Sequence, residues 1–299
     1  MTILSPINPH NSQKMNDFKD YLISQGYTNS TAHTYVRDVQ DYLTWLKVQR
    51  LKEEEVTYRD LLVYVKHLSK RELTQRTITY YINSIKKYYD YLQTPENPVK
   101  NIEIKGRQKR TVYDILTPTE LENLYANYQN QTSAGKRNKV IIGLMVYQGL
   151  TTGDLARLEI AHIKLREGKI EVPGNAKTSE RTLELKAHQL LDLQEYMMLV
   201  RKELLEQTKK ESTALIVSTG SSHKQNNLYL SLIKQLKRQA PKLKNYQQLR
   251  ASVITRWVKT MNLREAQYRA GHKYISSTEK YKVNDLEGLQ EDISKYFPL

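Results

Sequence analysis

Apolar residues recur at three- and four-residue spacing through the first third of the chain, the period of an α-helix with one buried face. Met15 to Tyr27 (MNDFKDYLISQGY) carries that period and stops at Gly26, and NSTAHTYVRDVQDYLTWLKVQ restarts it with Asn29 and Ser30 as candidate caps. TYRDLLVYVKHLSK and LTQRTITYYINSIKKYYDYLQT repeat the pattern, which predicts four helices up to about Thr94. Between Pro95 and Leu116 the pattern breaks. PENPVKNIEIKGRQKRTVYDIL holds two prolines, a glycine and the cations Lys105, Arg107, Lys109 and Arg110, the composition of a charged linker.

Helical signals resume at Thr117 to Glu120, where TPTE places a threonine cap, a proline at the first helical position and a glutamate three residues after the cap. They continue through GKRNKVIIGLMVYQGL. The period then falls to two in KIEV and RTLEL, separated by PGNAKTSE, which predicts two strands of a small antiparallel sheet. Helices return from AHQLLDLQEYMMLVRKELLEQ to the end, interrupted by the apolar ALIVS and the loop TGSSHKQNN. The expected architecture is mainly α with a small antiparallel β-sheet, in a helical lobe (1–94), a basic linker (95–115) and a second lobe (116–299). A chain of 299 residues is long enough for each lobe to bury its own core.

Charge narrows the partner. A formal net charge of +15 and a pI near 9.6 make a field that attracts a polyanion, with nucleic acid ahead of an anionic membrane. The longest apolar run, VIIGLMVY, is far short of a bilayer span, and MTILSPINPH lacks the basic-then-apolar order of a signal peptide. With no cysteine there is no disulfide framework, and a cytoplasmic location is expected. Tyrosines number 22 against 2 phenylalanines; most are expected at core edges. On the fourth helix Arg76, Lys86 and Lys87 stand beside Tyr80, Tyr81, Tyr88 and Tyr89, a face that is either solvated or set against DNA.

The segment RAGHKYISSTEKYK, Arg269 to Lys282, puts a Gly-His pair ahead of a lysine-flanked tyrosine, with His272 nine positions before Tyr281. His10, His33, His67, His162, His188 and His223 show no ligand spacing, so no metal is predicted. GNAKTS lacks the glycine spacing of a nucleotide-binding loop, so no nucleotide cofactor is predicted either.

With YQQLRASVITRW, the hairpin turn and YQGLTTGDLARL upstream, this segment resembles the phage-integrase family of tyrosine recombinases over nearly the whole chain. The resemblance implies a helical, SAM-like core-binding domain joined to a catalytic domain that cleaves and rejoins DNA. Tyr281 would attack a scissile phosphate, form a 3′-phosphotyrosyl link and free a 5′-hydroxyl. A phenol with an ordinary pKa of about 10 needs cations nearby for this step. Arg250 would offer a fork of donors to the phosphate, Lys177 would protonate the departing 5′-oxygen, His272 would hydrogen-bond a non-bridging oxygen, and Asp154 would organise the site from behind.

Two positions depart from the family pattern. Thr151 stands where the family carries its first arginine, and Gln247 where it carries a histidine three residues before the second. Threonine brings no charge, glutamine donates but shuttles no proton, and losing one such donor costs on the order of 10²–10³ in rate. Either another cation compensates, with Arg157, Lys273 and Lys280 nearby in sequence, or the chain binds DNA without cleaving it, as an accessory factor of a mobile element would. A type IB topoisomerase is a further enzymatic alternative. The resemblance also implies double-stranded DNA as partner, a homotetramer on paired sites, a nucleoid-associated location and an integrase or transposase role. The tail KVNDLEGLQEDISKYFPL, amphipathic at Leu286, Leu289, Ile293 and Phe297, would dock on a neighbouring protomer or fold back on its own core.

Overall fold

The computed structural model describes residues 9–94, 97–104, 114–209, 211–219 and 226–282, which fall into two compact units, Met1–Arg110 and Thr111–Leu299. Lys105, Arg107, Lys109 and Arg110, like Leu286, Leu289, Ile293 and Phe297, lie outside the described residues.

In the first unit the helices are α1 (Pro9–Ser24), α2 (Asn29–Gln49), α3 (Tyr58–Lys70) and α4 (Gln75–Tyr91). Each of the last three begins behind a threonine. Thr28, rather than Asn29 or Ser30, caps α2, because its extended backbone lets its hydroxyl accept from the Thr31 amide while Asn29 is already helical. Thr57 caps α3 in a reciprocal box with Asp60, and Thr74 caps α4. The apolar faces converge on Tyr42, Trp45, Leu61, Tyr64, Ile82, Ile85 and Tyr89, with Phe18, Leu22, Val39 and Tyr88 beside them.

A core so rich in tyrosine has hydroxyls to satisfy. Tyr42 and Tyr89 share a hydrogen bond of 2.9 Å, Tyr89 also donates to the Glu53 carbonyl at 3.1 Å, and Tyr88 donates to the Glu53 carboxylate at 2.7 Å. Burial pushes the Tyr89 phenol up to about 12. Tyr88 and Tyr89 therefore belong to the core and not to the basic face of α4.

The second unit begins with α5 (Pro118–Ala126), where Thr117 and Glu120 cap each other as the TPTE signal predicts. The apolar run Val140–Val146 forms the buried centre of α6 (Ser133–Tyr147), around which the rest packs. A one-turn helix, α7 (Thr152–Leu155), follows. The strands β1 (Ile163–Lys164), β2 (Lys169–Val172) and β3 (Arg181–Glu184) form an antiparallel sheet in the order β1-β2-β3. Strand β1 is an addition to the two expected, being only two residues long and so without a readable alternation.

In β2 and β3 alternate residues point inward: Ile170 and Val172 on one, Arg181 and Leu183 on the other, with Val172 directly opposite Arg181. An arginine thus takes an inward position of the sheet. Where AHQLLDLQEYMMLVRKELLEQ predicts a return to helix, the chain forms α8 (Ala187–Glu195) and α9 (Arg201–Thr208), joined by a π-helical turn at Tyr196–Val200. The ALIVS segment hydrogen-bonds back to the chain after α7 through Leu215 N to Leu158 O, and just before it Thr213 O accepts from Ile160 N. The unit is completed by α10 (Asn226–Gln239), α11 (Tyr246–Thr260), α12 (Leu263–Ala270) and the short α13 (Ser276–Glu279).

Candidate active site

The site is assembled around the buried carboxylate of Asp154, 1% exposed. Thr151 caps α7: its hydroxyl accepts from the Asp154 amide, and Asp154 Oδ2 accepts from the Thr151 amide at 3.0 Å and hydroxyl at 2.9 Å. The same oxygen meets Arg181 Nη2 at 3.3 Å, and Oδ1 meets Arg157 Nη2 at 2.7 Å. Burial alone would raise this carboxyl; Arg181, the two Thr151 hydrogen bonds and Arg250 outweigh it and hold it below the ordinary carboxylate range. Asp154 is therefore ionised at neutral pH.

Arg250, half-buried on the first turns of α11, spreads its guanidinium between two carbonyls, Gly149 O after α6 and Ala270 O at 2.6 Å at the end of α12. Burial lowers its pKa while the Asp154 carboxylate opposes that effect, and both the Arg181 charge and the Tyr281 phenol act on it. With Arg157, Arg181 and Arg250 gathered at one carboxylate, positive charge is left in excess, an arrangement suited to an anion.

At the end of α12 the chain turns through Gly271, whose φ of +67° is the left-handed conformation that favours glycine. The next residue, His272, is fixed at both backbone and side chain. Its amide donates to Gln267 O, it bridges to Thr178 of the hairpin loop, and Nδ1 lies 2.9 Å from Thr278 Oγ1. Its pKa is pushed down to about 4, first by burial and then by the charges of Arg250, Arg181 and Lys280, so the free ring is neutral at pH 7. Tyr281 follows α13 with its ring stacked on that of His272, centroids 6.0 Å apart and planes inclined by 11°.

Of the residues singled out in the sequence, Asp154, Arg250, His272 and Tyr281 are thus brought together, with Thr151 at the carboxylate. Lys177 stands exposed on the β2–β3 loop, where the Asn175 side chain accepts from the Lys177 amide at 2.6 Å, next to the Thr178 that pairs with His272. Gln247 is exposed one turn before Arg250. Among the three nearby cations, Arg157 reaches Asp154, Lys280 acts on His272 through its charge, and Lys273 is exposed.

The sequence reading missed Arg181. Its Nε donates to Arg269 O at 3.0 Å, and its side chain is completely enclosed. The signal was present in the alternation of RTLE, which puts Arg181 on the same face as Leu183. On α4, Arg76 is exposed and its Nε donates to Tyr80 Oη at 3.0 Å. Lys87 lies three turns further along the same stripe, paired with Asp90 at 3.2 Å, while Lys86 is rotated off it by one residue.

Residues 114–287 match the phage integrase family, and residues 15–94 match the phage integrase N-terminal SAM-like domain. The chain is 26% identical to tyrosine recombinase XerD of Oceanobacillus iheyensis over 292 residues, covering 94% of this chain and 97% of that protein. It is 24% identical to tyrosine recombinase XerC of Bacillus subtilis over 290 residues, covering 94% and 95%. Among solved structures, XerH recombinase bound to palindromic difH substrate, in a post-cleavage complex, shares the fold with a TM-score of 0.74 at 19% identity, covering 96% of this chain and 84% of that one. A lambda integrase dimer bound to a COC′ core site does so with a TM-score of 0.65 at 15% identity, covering 90% and 94%. No helix among the described residues is long and apolar enough to cross a membrane. The chain belongs to the phage integrase family of tyrosine recombinases, with a SAM-like domain ahead of its integrase domain.

Proposed function

We propose that this protein is a site-specific DNA recombinase whose Tyr281 attacks a scissile phosphate, forming a 3′-phosphotyrosyl bond and releasing a 5′-hydroxyl. The stack of Tyr281 on His272 beside Arg250 carries this reading. A phosphate seated there meets the Arg250 fork and the His272 ring edge, with Nδ1 already engaged by Thr278 and Nε2 the nitrogen available for a non-bridging oxygen. Lys177, on a loop that pairs with His272 but with its own side chain in solvent, protonates the leaving 5′-oxygen once DNA draws it inward. Gln247 donates to the phosphate without moving a proton. The phosphotyrosyl bond keeps the energy of the phosphodiester, so religation by a 5′-hydroxyl needs no nucleotide cofactor.

In the same reading residues 1–94 and 116–299 each bind duplex DNA and are joined by the basic segment 95–115. Arg76, Lys86, Lys87 and the segment's Lys105, Arg107, Lys109 and Arg110 contact phosphates without reading sequence. Four copies assemble on two sites in the cytoplasm, in the service of a mobile element as its integrase or transposase. The resemblance to XerC and XerD supports a second assignment within the same chemistry, recombination of the kind those proteins perform.

The test is covalent trapping on nicked duplexes carrying the DNA that flanks the gene, resolved on a denaturing gel beside Tyr281→Phe. An adduct with the wild type alone is expected. Binding at low salt with no adduct on any flanking site would instead identify a non-catalytic DNA-binding factor, and adducts formed without site preference would identify a topoisomerase.

A further inference from the structure

We propose that Arg181, on strand β3, is a positioning residue for the Tyr281 site, supplying at Asp154 the guanidinium charge that Thr151 does not bring. The inference rests on the strand-cleavage reading above. Four observations carry it.

Arg181 occupies an inward-facing position of a strand, where the pattern calls for an apolar residue, and its side chain is 0% exposed. So costly a burial needs partners, and it has three, each on a different segment of the site. Its guanidinium meets Asp154 at the start of α7, Arg269 O at the end of α12, and Ser179 O in its own hairpin loop at 3.4 Å. One side chain therefore ties together the segment holding Thr151, the loop holding Lys177 and the turn that leads to His272.

The Gly-His turn is shaped around it. A β-carbon at Gly271 would lie 2.5 Å from Arg181 Nη1 and 2.8 Å from its Cζ, so the glycine is required by the guanidinium as well as by its own φ. The charge of Arg181 also reaches the groups that would face phosphate, acting on both Arg250 and His272.

Thr151 completes the argument. Its side chain is turned back onto the helix as a cap, and the carboxylate oxygen it contacts is the one that Arg181 approaches. An arginine at 151 would project from this point; in its absence a guanidinium arrives at the same carboxylate oxygen from the sheet. Arg157 is the competing cation, but it sits on the opposite oxygen of Asp154. Being enclosed, Arg181 does not touch DNA in this arrangement: it sets the placement of Arg250 and His272 and supplies positive charge behind them.

The experiment compares wild type, Arg181→Met, Arg181→Lys and the double variant Arg181→Met with Thr151→Arg, all as full-length chains. Adduct formation on the nicked flanking duplex is measured together with the titration of His272 followed by NMR without DNA. Arg181→Met is expected to lower the adduct rate by on the order of 10²–10³ while DNA binding persists, and to raise the His272 pKa. Arg181→Lys, which keeps the charge and loses the fork, falls between. The double variant restores the rate to within about tenfold of wild type and returns the His272 titration downward, because a guanidinium again meets Asp154.

A near-wild-type rate in Arg181→Met would overturn the proposal. So would a loss that Thr151→Arg fails to restore in either readout, which would make Arg181 a structural ion pair only. If Arg181→Met does not fold, the Arg181→Lys variant carries the decision: an unchanged rate and an unchanged His272 titration would restrict the requirement to charge and remove the positioning role. Should the wild type itself form no adduct while the His272 pattern holds, the cleavage reading fails and the placement of Arg181 stands.

Discussion

The ring of Tyr281 lies almost parallel to that of His272, inclined by 11° with the centroids 6.0 Å apart, and the histidine is itself held through Nδ1 by Thr278. The contact joins two residues on either side of α13, so the short helix sets how far the tyrosine hydroxyl stands from the Arg250 fork. Replacing Tyr281 by phenylalanine preserves the stack and removes only the nucleophilic oxygen. DNA affinity is therefore expected to match the wild type, with covalent adduct lost altogether, as gel-shift measurements beside the trapping assay will show.

His272 makes the second unit acid-sensitive. Its folded pKa of about 4 lies below the ordinary histidine value near ~6.5. As pH falls through that interval the unfolded chain takes up a proton that the folded chain does not. The contribution of this residue to stability is thus undiminished above about 6.5 and declines steadily towards 4. His272→Gln is expected to flatten that part of the curve of melting temperature against pH, and a curve still as steep as wild type would assign the sensitivity to another group.

Removing the charge of Asp154 leaves Arg181 enclosed without its counter-ion. Asp154→Asn keeps an acceptor for the Thr151 amide and loses the ion pairs to Arg157 and Arg181. A destabilisation of about 3–5 kcal/mol is expected, since breaking a buried pair from one side leaves an uncompensated charge. Urea unfolding followed by near-ultraviolet circular dichroism measures it, and a change below 1 kcal/mol would show that the pair behaves as a surface one.

Lys177 is exposed, so Lys177→Ala is expected to leave stability within ±0.5 kcal/mol. Its effect belongs to chemistry. As a proton donor to the leaving oxygen it should be worth about 10²–10⁴ in cleavage rate, and a substrate with sulfur in place of the 5′-bridging oxygen, which leaves without protonation, should recover most of that loss. Persistence of the defect on the sulfur substrate would move Lys177 to a binding role.

On α4, Arg76→Ala removes an exposed cation that also orients Tyr80. A phosphate contact predicts weaker binding by a similar factor on every DNA sequence, with the slope of log affinity against log salt reduced by about 1. An unchanged slope would place this stripe away from the DNA.

Much of this protein is decided by neighbours in sequence. The helices α2 to α5 start where a threonine can turn its hydroxyl onto the first free amides, and TPTE shows its cap, proline and reciprocal glutamate in four letters. The apolar alternation of KIEV and RTLE fixes which residues of the hairpin face inward, and the order of Arg250, His272 and Tyr281 is itself a sequence property. These features depend on backbone sterics and on hydrogen bonds spanning a few residues, so they can be read without the rest of the chain. Tertiary structure decided what lies opposite. Tyr88 and Tyr89 turned into the core because the first unit needed ring volume there, and their hydroxyls found Glu53, some 35 positions away. The pairing of Arg181 with Asp154 spans 27 positions and exists only once the hairpin docks on α7 and α12. Alternation alone marks Arg181 as facing inward; which carboxylate and which carbonyls await it there is set by packing between elements, where burying a guanidinium is tolerated only if all its partners arrive together.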